Sequence, residues 1–315
     1  MPFLQWTQKL TLHGQELWYK AGAISTTLEF DLLRKILSTI RQTSEILTIH
    51  QGTSVDPLPS LKVISANLCH PWPRLQRGEE RLQQFLQLVQ DHQADLLILQ
   101  EVWGTRRYQV HAWLAERLAM NAVYVRTNGD YLQIGFEEGL AILSRYPLLP
   151  KGSKILRSSL HPFARRQALA ATVKTPGGDL LAVSTHLSIS PWCNRRQVQE
   201  LIEWVEKQSS HAIIGGDFNA PETASRIALL KQRWMDTLRH VHPVHADPTT
   251  HQIAVPFVGK LRLRLDYLFL YQKEKLWQIL NAGKEARYSF SDHAAVWTHL
   301  GLRKPLLGSS VQWGF

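Results

Sequence analysis

Polar residues able to do chemistry recur where apolar runs stop. Asn67 closes VISAN, Glu101 closes LLILQE, His186 closes AVSTH, Asp217 and Asn219 follow IIGG, Asp266 follows RLRL, and Asp292 and His293 precede AAV. A single strand-end aspartate is an ordinary turn or cap group, because its carboxylate accepts nearby backbone N–H groups. Drawn from one open sheet edge, where ligand sites tend to lie, the set would bring carboxylates, amides and imidazoles into one cleft. Such a hard, oxygen-rich collection suits Mg2+, with Mn2+ as the alternative ion. Glu101 follows a run that reads as buried, where an unpaired carboxylate is costly, so it needs a metal or a basic partner. For Asp266 the plain alternative is a surface ion pair with Arg262 or Arg264.

The elements that would carry these residues follow from periodicity. LKVISANL, ADLLILQE, EEGLAILS, HAIIGGDF, RLRLDYLFLY and AAVWTHL read as strands, and QALAATVKTPGGDLLAVSTHLS as two strands joined at Pro176-Gly177-Gly178. Leu82, Phe85, Leu86 and Val89 make one helical face and Val198, Leu201, Ile202 and Val205 another, while RRYQVHAWLAERL is a third helix. Hairpins mixed with helical crossovers predict a four-layer α/β sandwich with two central mixed, largely antiparallel sheets, rather than a doubly wound parallel sheet. Gly215 and Gly216 read as backbone clearance beside a site.

Residues 1–60 differ: Phe30, Leu33, Leu37 and Ile40 predict a helix around 28–42, and QGTSVDPLPS at 51–60 reads as a linker. The expected organisation is therefore a helical N-terminal extension over 1–60 and a catalytic domain over 61–315. No glycine-rich dinucleotide fingerprint, phosphate-binding GxxxxGK[ST] loop or HExxH pair occurs. Only Cys69 and Cys193 are present, which excludes a disulfide framework and a cysteine-rich zinc site. The N-terminus lacks a signal-peptide pattern and no run approaches a membrane span, so the expectation is a soluble, cytoplasmic protein.

In order and separation, QE, STH, GDFN, LDY and SDH resemble the motifs of the endonuclease/exonuclease/phosphatase family, the DNase-I-like metal-dependent phosphoesterases, with matches from about Lys62 to His299. The resemblance implies that Glu101 is the principal Mg2+ ligand with Asn67 beside it. It implies that Asp217 and Asn219 handle the attacking water, the phosphate or a second metal, and that Asp292 and His293 close the site. Asp266 would orient a catalytic group, and His186 would contact the phosphate. A dyad of His293 with Asp266 or Asp292 and the alternative of Asp217 as water activator both stay open.

The family's chemistry leaves the substrate to be read from charge. The formal charge is +10 and the sequence pI about 9.7, which favours an anionic partner: nucleic acid, a phosphorylated metabolite or an anionic membrane surface. Arg106 with Arg107, Arg145 in the SRYP turn, Arg165 with Arg166 and Arg195 with Arg196 are candidate phosphate contacts, as are Arg262 and Arg264. Trp103 and Trp192 lie near motif segments, where they could stack on a base or enter a lipid interface, whereas Trp113 and Trp204 read as packing groups. STHLS is closer to the DNase-I-like and sphingomyelinase-like branches than to the apurinic endonucleases. The leading expectation is a nuclease-like phosphodiesterase. A lipid or small-molecule phosphodiesterase and a non-catalytic basic binding module are the alternatives.

Overall fold

The computed structural model describes residues 45–51, 60–70, 78–156, 165–243, 247–255 and 259–303. The helix expected over 28–42 and most of the expected linker lie outside them. The described elements begin with β1 (Ile46–Ile49), β2 (Ser60–Asn67), α1 (Gly78–His92), β3 (Leu96–Thr105), α2 (Val110–Leu118), β4 (Asn121–Asp130), α3 (Tyr131–Ile134) and β5 (Phe136–Ser144). It continues through β6 (Leu148–Leu156), β7 (Arg166–Thr175), β8 (Gly178–His186), α4 (Pro191–Gln208), β9 (His211–Asp217), α5 (Ser225–Arg233), β10 (Met235–Asp236) and α6 (Thr237–Val241). The last strands are β11 (His251–Val255), β12 (Gly259–Leu263), β13 (Asp266–Gln272), β14 (Trp277–Glu285) and β15 (Ala295–Leu302).

Two large sheets result, one ordered β1-β4-β5-β3-β2-β15-β14 and one β10-β13-β9-β8-β7-β6, with β11 and β12 as a separate hairpin. Strand alternation sends successive side chains into different cores. Val63, Leu96, Ile98, Ile213, Leu268 and Leu270 point between the sheets. Their neighbours Ile64, Leu97 and Leu99 face Leu82, Phe85 and Leu114 of α1 and α2, while Ile214, Tyr267 and Phe269 face Val198, Leu201 and Ile227 of α4 and α5. Both faces of both sheets are covered, which is why the strands read as continuous apolar runs. The four-layer α/β sandwich is the architecture that the sequence predicts.

Only β2–β3 and β8–β9 are parallel among the described pairings within the two sheets, and each pair is joined by a helix, α1 or α4. Parallel strands finish at the same edge, so these two crossovers bring Asn67, Glu101, His186 and Asp217 to common sheet ends.

Several expectations change. RLRLDYLFLY is two elements, β12 and β13, interrupted at Arg264 because its buried guanidinium turns inward to Asp236 Oδ1 at 2.7 Å and Oδ2 at 2.8 Å. β1 falls within the segment read as an extension, yet it pairs antiparallel with β4 at the edge of the first sheet. Gly215 and Gly216 do give clearance, but for packing: a Cβ on Gly215 would stand 2.8 Å from Ser65 Oγ of the facing sheet, and one on Gly216 2.2 Å from the Thr185 carbonyl of β8.

Candidate active site

The second sheet aligns three of the expected residues by register alone. Asp217 is paired with His186 on one side and with Asp266 on the other. The first sheet needs a distortion: the β3–β5 register shifts between Leu99 and Val102, and Glu101 has φ 51°. A bulge re-aims a side chain that regular alternation would send elsewhere. Cys69 at φ 49° and Asn219 at φ 46° adopt the same left-handed conformation at the site edge, which costs a non-glycine residue energy and tends to cluster where function is built.

The side chains converge. Asn67 donates through Nδ2 to Glu101 Oε1 at 3.1 Å and to Asp217 Oδ2 at 3.3 Å, thereby joining the two sheets. Its Oδ1 accepts the Cys69 N–H at 2.9 Å. Asn67 therefore orients two carboxylates, and one lone pair of the oxygen expected to be a metal ligand is taken by the Cys69 N–H. His186 places Nδ1 at 3.9 Å from Glu101 Oε1 and Nε2 at 3.5 Å from Asp217 Oδ2. The Asn219 N–H donates to Asp217 Oδ1 at 2.9 Å and its Nδ2 to the Leu187 carbonyl at 3.0 Å.

His293 pairs with Asp266, not Asp292: the carboxylate accepts Nδ1 at 2.8 Å, and Nε2 is left 4.0 Å from Asp217 Oδ2. Asp266 is 1% exposed, and among the described residues its other oxygen has no hydrogen-bond partner. Thr250 Oγ1 accepts the Leu265 and Asp266 N–H groups at 2.9 and 3.2 Å, and the His251 ring stacks on His293 with centroids 4.2 Å apart. Asp292 is more exposed, with Oδ2 3.9 Å from His251 Nδ1. Arg81 of α1 ties the loops together, donating to the Phe290, Leu68 and Cys69 carbonyls at 2.6, 2.5 and 2.6 Å.

Electrostatics separate the imidazoles. Burial, helped by Arg166 and the other histidines, pushes His186 well below its ordinary pKa and keeps it neutral. Burial pulls His293 down too, but Asp266 opposes it, then Asp217 and Asp292, and the net result is a rise to about 10. Asp217 is raised to about 7 by burial and by Asp266. Burial and then Asp292 push the Cys69 thiol up to about 12, so it stays protonated.

His70 and Glu138 also belong to this neighbourhood, and the sequence reading did not single them out. His70, Glu101 and Glu138 form one group whose ligand atoms lie within 4.8 Å of one another; His251, Asp292 and His293 form another, and Asp217, Asp266 and His293 a third. The only advance signal for Glu138 was a pair of acids opening the apolar strand EEGLAILS. Among the described residues the ion-pair partners of Glu101 are histidines, with no lysine or arginine. A carboxylate so enclosed fits a bound cation.

The candidate arginines divide. Arg106 is committed to α3, donating to the Tyr131 and Leu132 carbonyls at 3.3 and 2.6 Å. Arg145 follows the end of β5 that pairs with Leu96, so it stands by Asp95 at the far edge of the sheet from Glu101. Arg165 donates its backbone N–H to Asn128, whose side chain holds Glu138, and Arg166 is close enough to act on His186 and Glu138. Arg195 is exposed on the first turns of α4. Arg262 pairs with Asp247. Trp103 is buried against Tyr108 and cannot stack on a ligand, whereas Trp192 is 83% exposed and the nearby Ile189 73%. Trp113 and Trp204 pack against cores, as expected.

Comparison with known proteins fits this geometry. An endonuclease/exonuclease/phosphatase protein from Beutenbergia cavernae DSM 12333 superposes with TM-score 0.60 at 20% identity, covering 77% of this chain and 72% of its own. D. rerio TDP2, whose structure holds a single strand DNA product, gives TM-score 0.61 at 17% identity over 77% of this chain and 99% of its own. The human Nocturnin catalytic domain with a bound sulfate anion gives 0.61 at 17% identity over 84% of this chain and all of its own, 100%. No curated protein matches in sequence. Among the described residues no helix is long and apolar enough to cross a membrane. The Endonuclease/Exonuclease/phosphatase family, whose members are hydrolases of phosphoester bonds that generally depend on a divalent metal, matches residues 64–293, and the chain belongs to it.

Proposed function

We propose that this protein is a divalent-metal-dependent phosphodiesterase that hydrolyses nucleic acid by in-line attack of water. The observation that carries the reading is the Asp266–His293 hydrogen bond of 2.8 Å, which aims the imidazole at Asp217, together with Asn67 linking Asp217 to Glu101. Glu101 would hold Mg2+, or Mn2+ in its place, with Asp292 on the facing loop. When bound, the ion supplies positive charge to a phosphate oxygen.

The remaining steps fall to the chain. Asp217, held by Asn67 and the Asn219 N–H, accepts a proton from the attacking water, as its raised pKa suits a base working near neutrality. His293, kept protonated by Asp266, hydrogen-bonds to a phosphate oxygen as negative charge grows, and the ester oxygen opposite the water departs as its P–O bond breaks, taking a proton from solvent. Neutral His186 and the Asn219 amide add hydrogen bonds to the same oxygens. Arg166 and the exposed Arg195 extend positive charge outward for a phosphate backbone.

A second reading, a phospholipid diester as substrate, is favoured by the exposed Ile189 and Trp192, which follow directly after the strand end that presents His186. One experiment separates the readings. Wild-type and Glu101→Gln proteins are incubated with Mg2+ or Mn2+ and single-stranded DNA, duplex DNA, RNA, phospholipid vesicles or a generic phosphodiester. Metal-dependent nucleic-acid cleavage by the wild type alone is expected. Headgroup release without such cleavage would shift the substrate to lipid, and no turnover of any substrate would leave only a binding module.

A further inference from the structure

Glu101 turns its two oxygens to different neighbours. Oε1 faces Asn67 and His186, while Oε2 accepts the His70 backbone N–H at 3.1 Å and faces the His70 ring. The hydrolytic steps above use neither the His70 imidazole nor Glu138, yet His70 faces this second oxygen and Glu138 faces His70, with one ligand atom from each of the three within 4.8 Å of the others.

Spacing distinguishes the cluster from an ordinary ion pair. His70 Nε2 lies 3.7 Å from Glu101 Oε2 and 3.4 Å from Glu138 Oε2, and it hydrogen-bonds to neither. An imidazolium bridging two carboxylates would close to about 2.8 Å, the range of charge-assisted bonds, as His293 does with Asp266. Donors 3.4 and 3.7 Å apart fall instead within the roughly 4.2 Å that two ligands of one ion with bonds of about 2.1 Å can span.

The donors are also fixed from behind. Asn128 Nδ2 donates to Glu138 Oε1 at 2.7 Å, and Asn128 Oδ1 accepts the Arg165 N–H at 2.7 Å, which leaves Glu138 Oε2 turned to His70. Outer hydrogen bonds of this kind orient metal-ligating carboxylates. Among the described residues the ion-pair partners of Glu101 and Glu138 are histidines, with Arg166 acting on Glu138 from farther away. One imidazole nitrogen with two carboxylate oxygens is a borderline donor set, better matched to Mn2+ or Zn2+ than to Mg2+.

We propose that His70, Glu101 and Glu138 form a second divalent-cation site, suited to a first-row transition ion, that shares Glu101 with the hydrolytic centre. It rests on the preceding reading only for the shared role of Glu101.

The test is a Mn2+ titration of the metal-free full-length protein, followed by calorimetry and electron paramagnetic resonance, in wild type, His70→Ala and Glu138→Gln. Wild type is expected to take up two Mn2+ ions, one of them showing modulation from a directly bound nitrogen. His70→Ala should keep one ion and lose that nitrogen signal. Glu138→Gln, nearly isosteric, should keep the signal but bind the second ion at least about tenfold more weakly. Uptake of a single Mn2+ by the wild type, or wild-type stoichiometry and nitrogen signal in His70→Ala, overturns the site. Mg2+-dependent hydrolysis is measured on the same wild-type preparation. Hydrolysis with only one Mn2+ bound refutes the second site and leaves the proposed function; two ions without hydrolysis does the reverse.

Discussion

The β2–α1–β3 and β8–α4–β9 units share a plan and differ in how they finish. In the second unit, unbroken register sets His186, Asp217 and Asp266 side by side, and His293 joins them through a 2.8 Å hydrogen bond. In the first, Glu101 reaches the site through a bulge and a left-handed backbone, and its imidazole neighbours stand 3.7 and 3.9 Å away. Hydrogen-bond spacing suits a group that moves protons and contacts phosphate, whereas the wider spacing leaves room for an ion. On the proposed function the two units would divide the labour, the first edge serving a cation and the second, with its Asp266–His293 hydrogen bond, the reacting water.

The largest effect should come from breaking the cation edge. Glu101→Gln is expected to lower kcat/KM by about 10^3-fold or more, as loss of a main electrostatic contributor does, with unchanged circular dichroism. Breaking the proton edge should cost less: Asp266→Asn is expected to lower kcat by about 10^2-fold. It also removes the main group that raises His293. The imidazolium then loses its proton at lower pH, and the alkaline limb of the pH–rate profile moves toward neutrality.

Individual groups should also differ on acidification. His111, buried beneath the first sheet and stacked on Tyr124, is pushed down to about 4 by burial. A histidine lowered on folding contributes full stability above its ordinary value near 6.5 and loses it as pH falls toward 4. The loss approaches about 3 kcal/mol by linkage. Beside the second sheet, Glu222 is lowered to about 2, chiefly by Arg239 and against burial, with Lys231 and Arg264 helping. Its contribution is present above its ordinary value of 4.5 and is lost only as pH falls toward 2. Urea midpoints measured from pH 7 to 3 should show a smaller loss in His111→Phe than in wild type, the remainder including that of His186, which burial also lowers. A smaller effect is expected at the bridge between loops: Arg81→Ala should lower stability by about 2 kcal/mol, since it strips a charged donor from three carbonyls.

The second unit was the more legible in sequence for the same reason that it is regular. STHLS and IIGGDFN end strands whose register is unbroken, so their polar ends project where regular pairing puts them. The Pro176-Gly177 hairpin and both helical crossovers were readable too, and with them the sandwich. Glu101 was legible as a residue, but its bulge was not, because no local word marks a register shift. His70 and Glu138 carry no motif and meet only through pairing of distant strands. Arg145 misled because a turn adjoining an apolar strand does not say which end of the sheet it occupies. Trp103 misled because closeness in sequence to a strand end does not reveal which face its ring takes. β1 and β14 have too little alternation to stand out, and both lie at a sheet edge, each with one strand neighbour among the described residues.

Glu101's positive φ has a further consequence, for evolution in the test tube. The position combines a backbone conformation that glycine or asparagine would hold with less strain and a carboxylate facing Glu138 and Asp217. Glu101→Gly should therefore raise Tm by a few degrees in metal-free protein, relieving roughly 1 kcal/mol, while abolishing hydrolysis. Selection for thermal stability alone would erode this position early, and a stabilised variant that keeps Glu101 would be one in which activity had been selected as well.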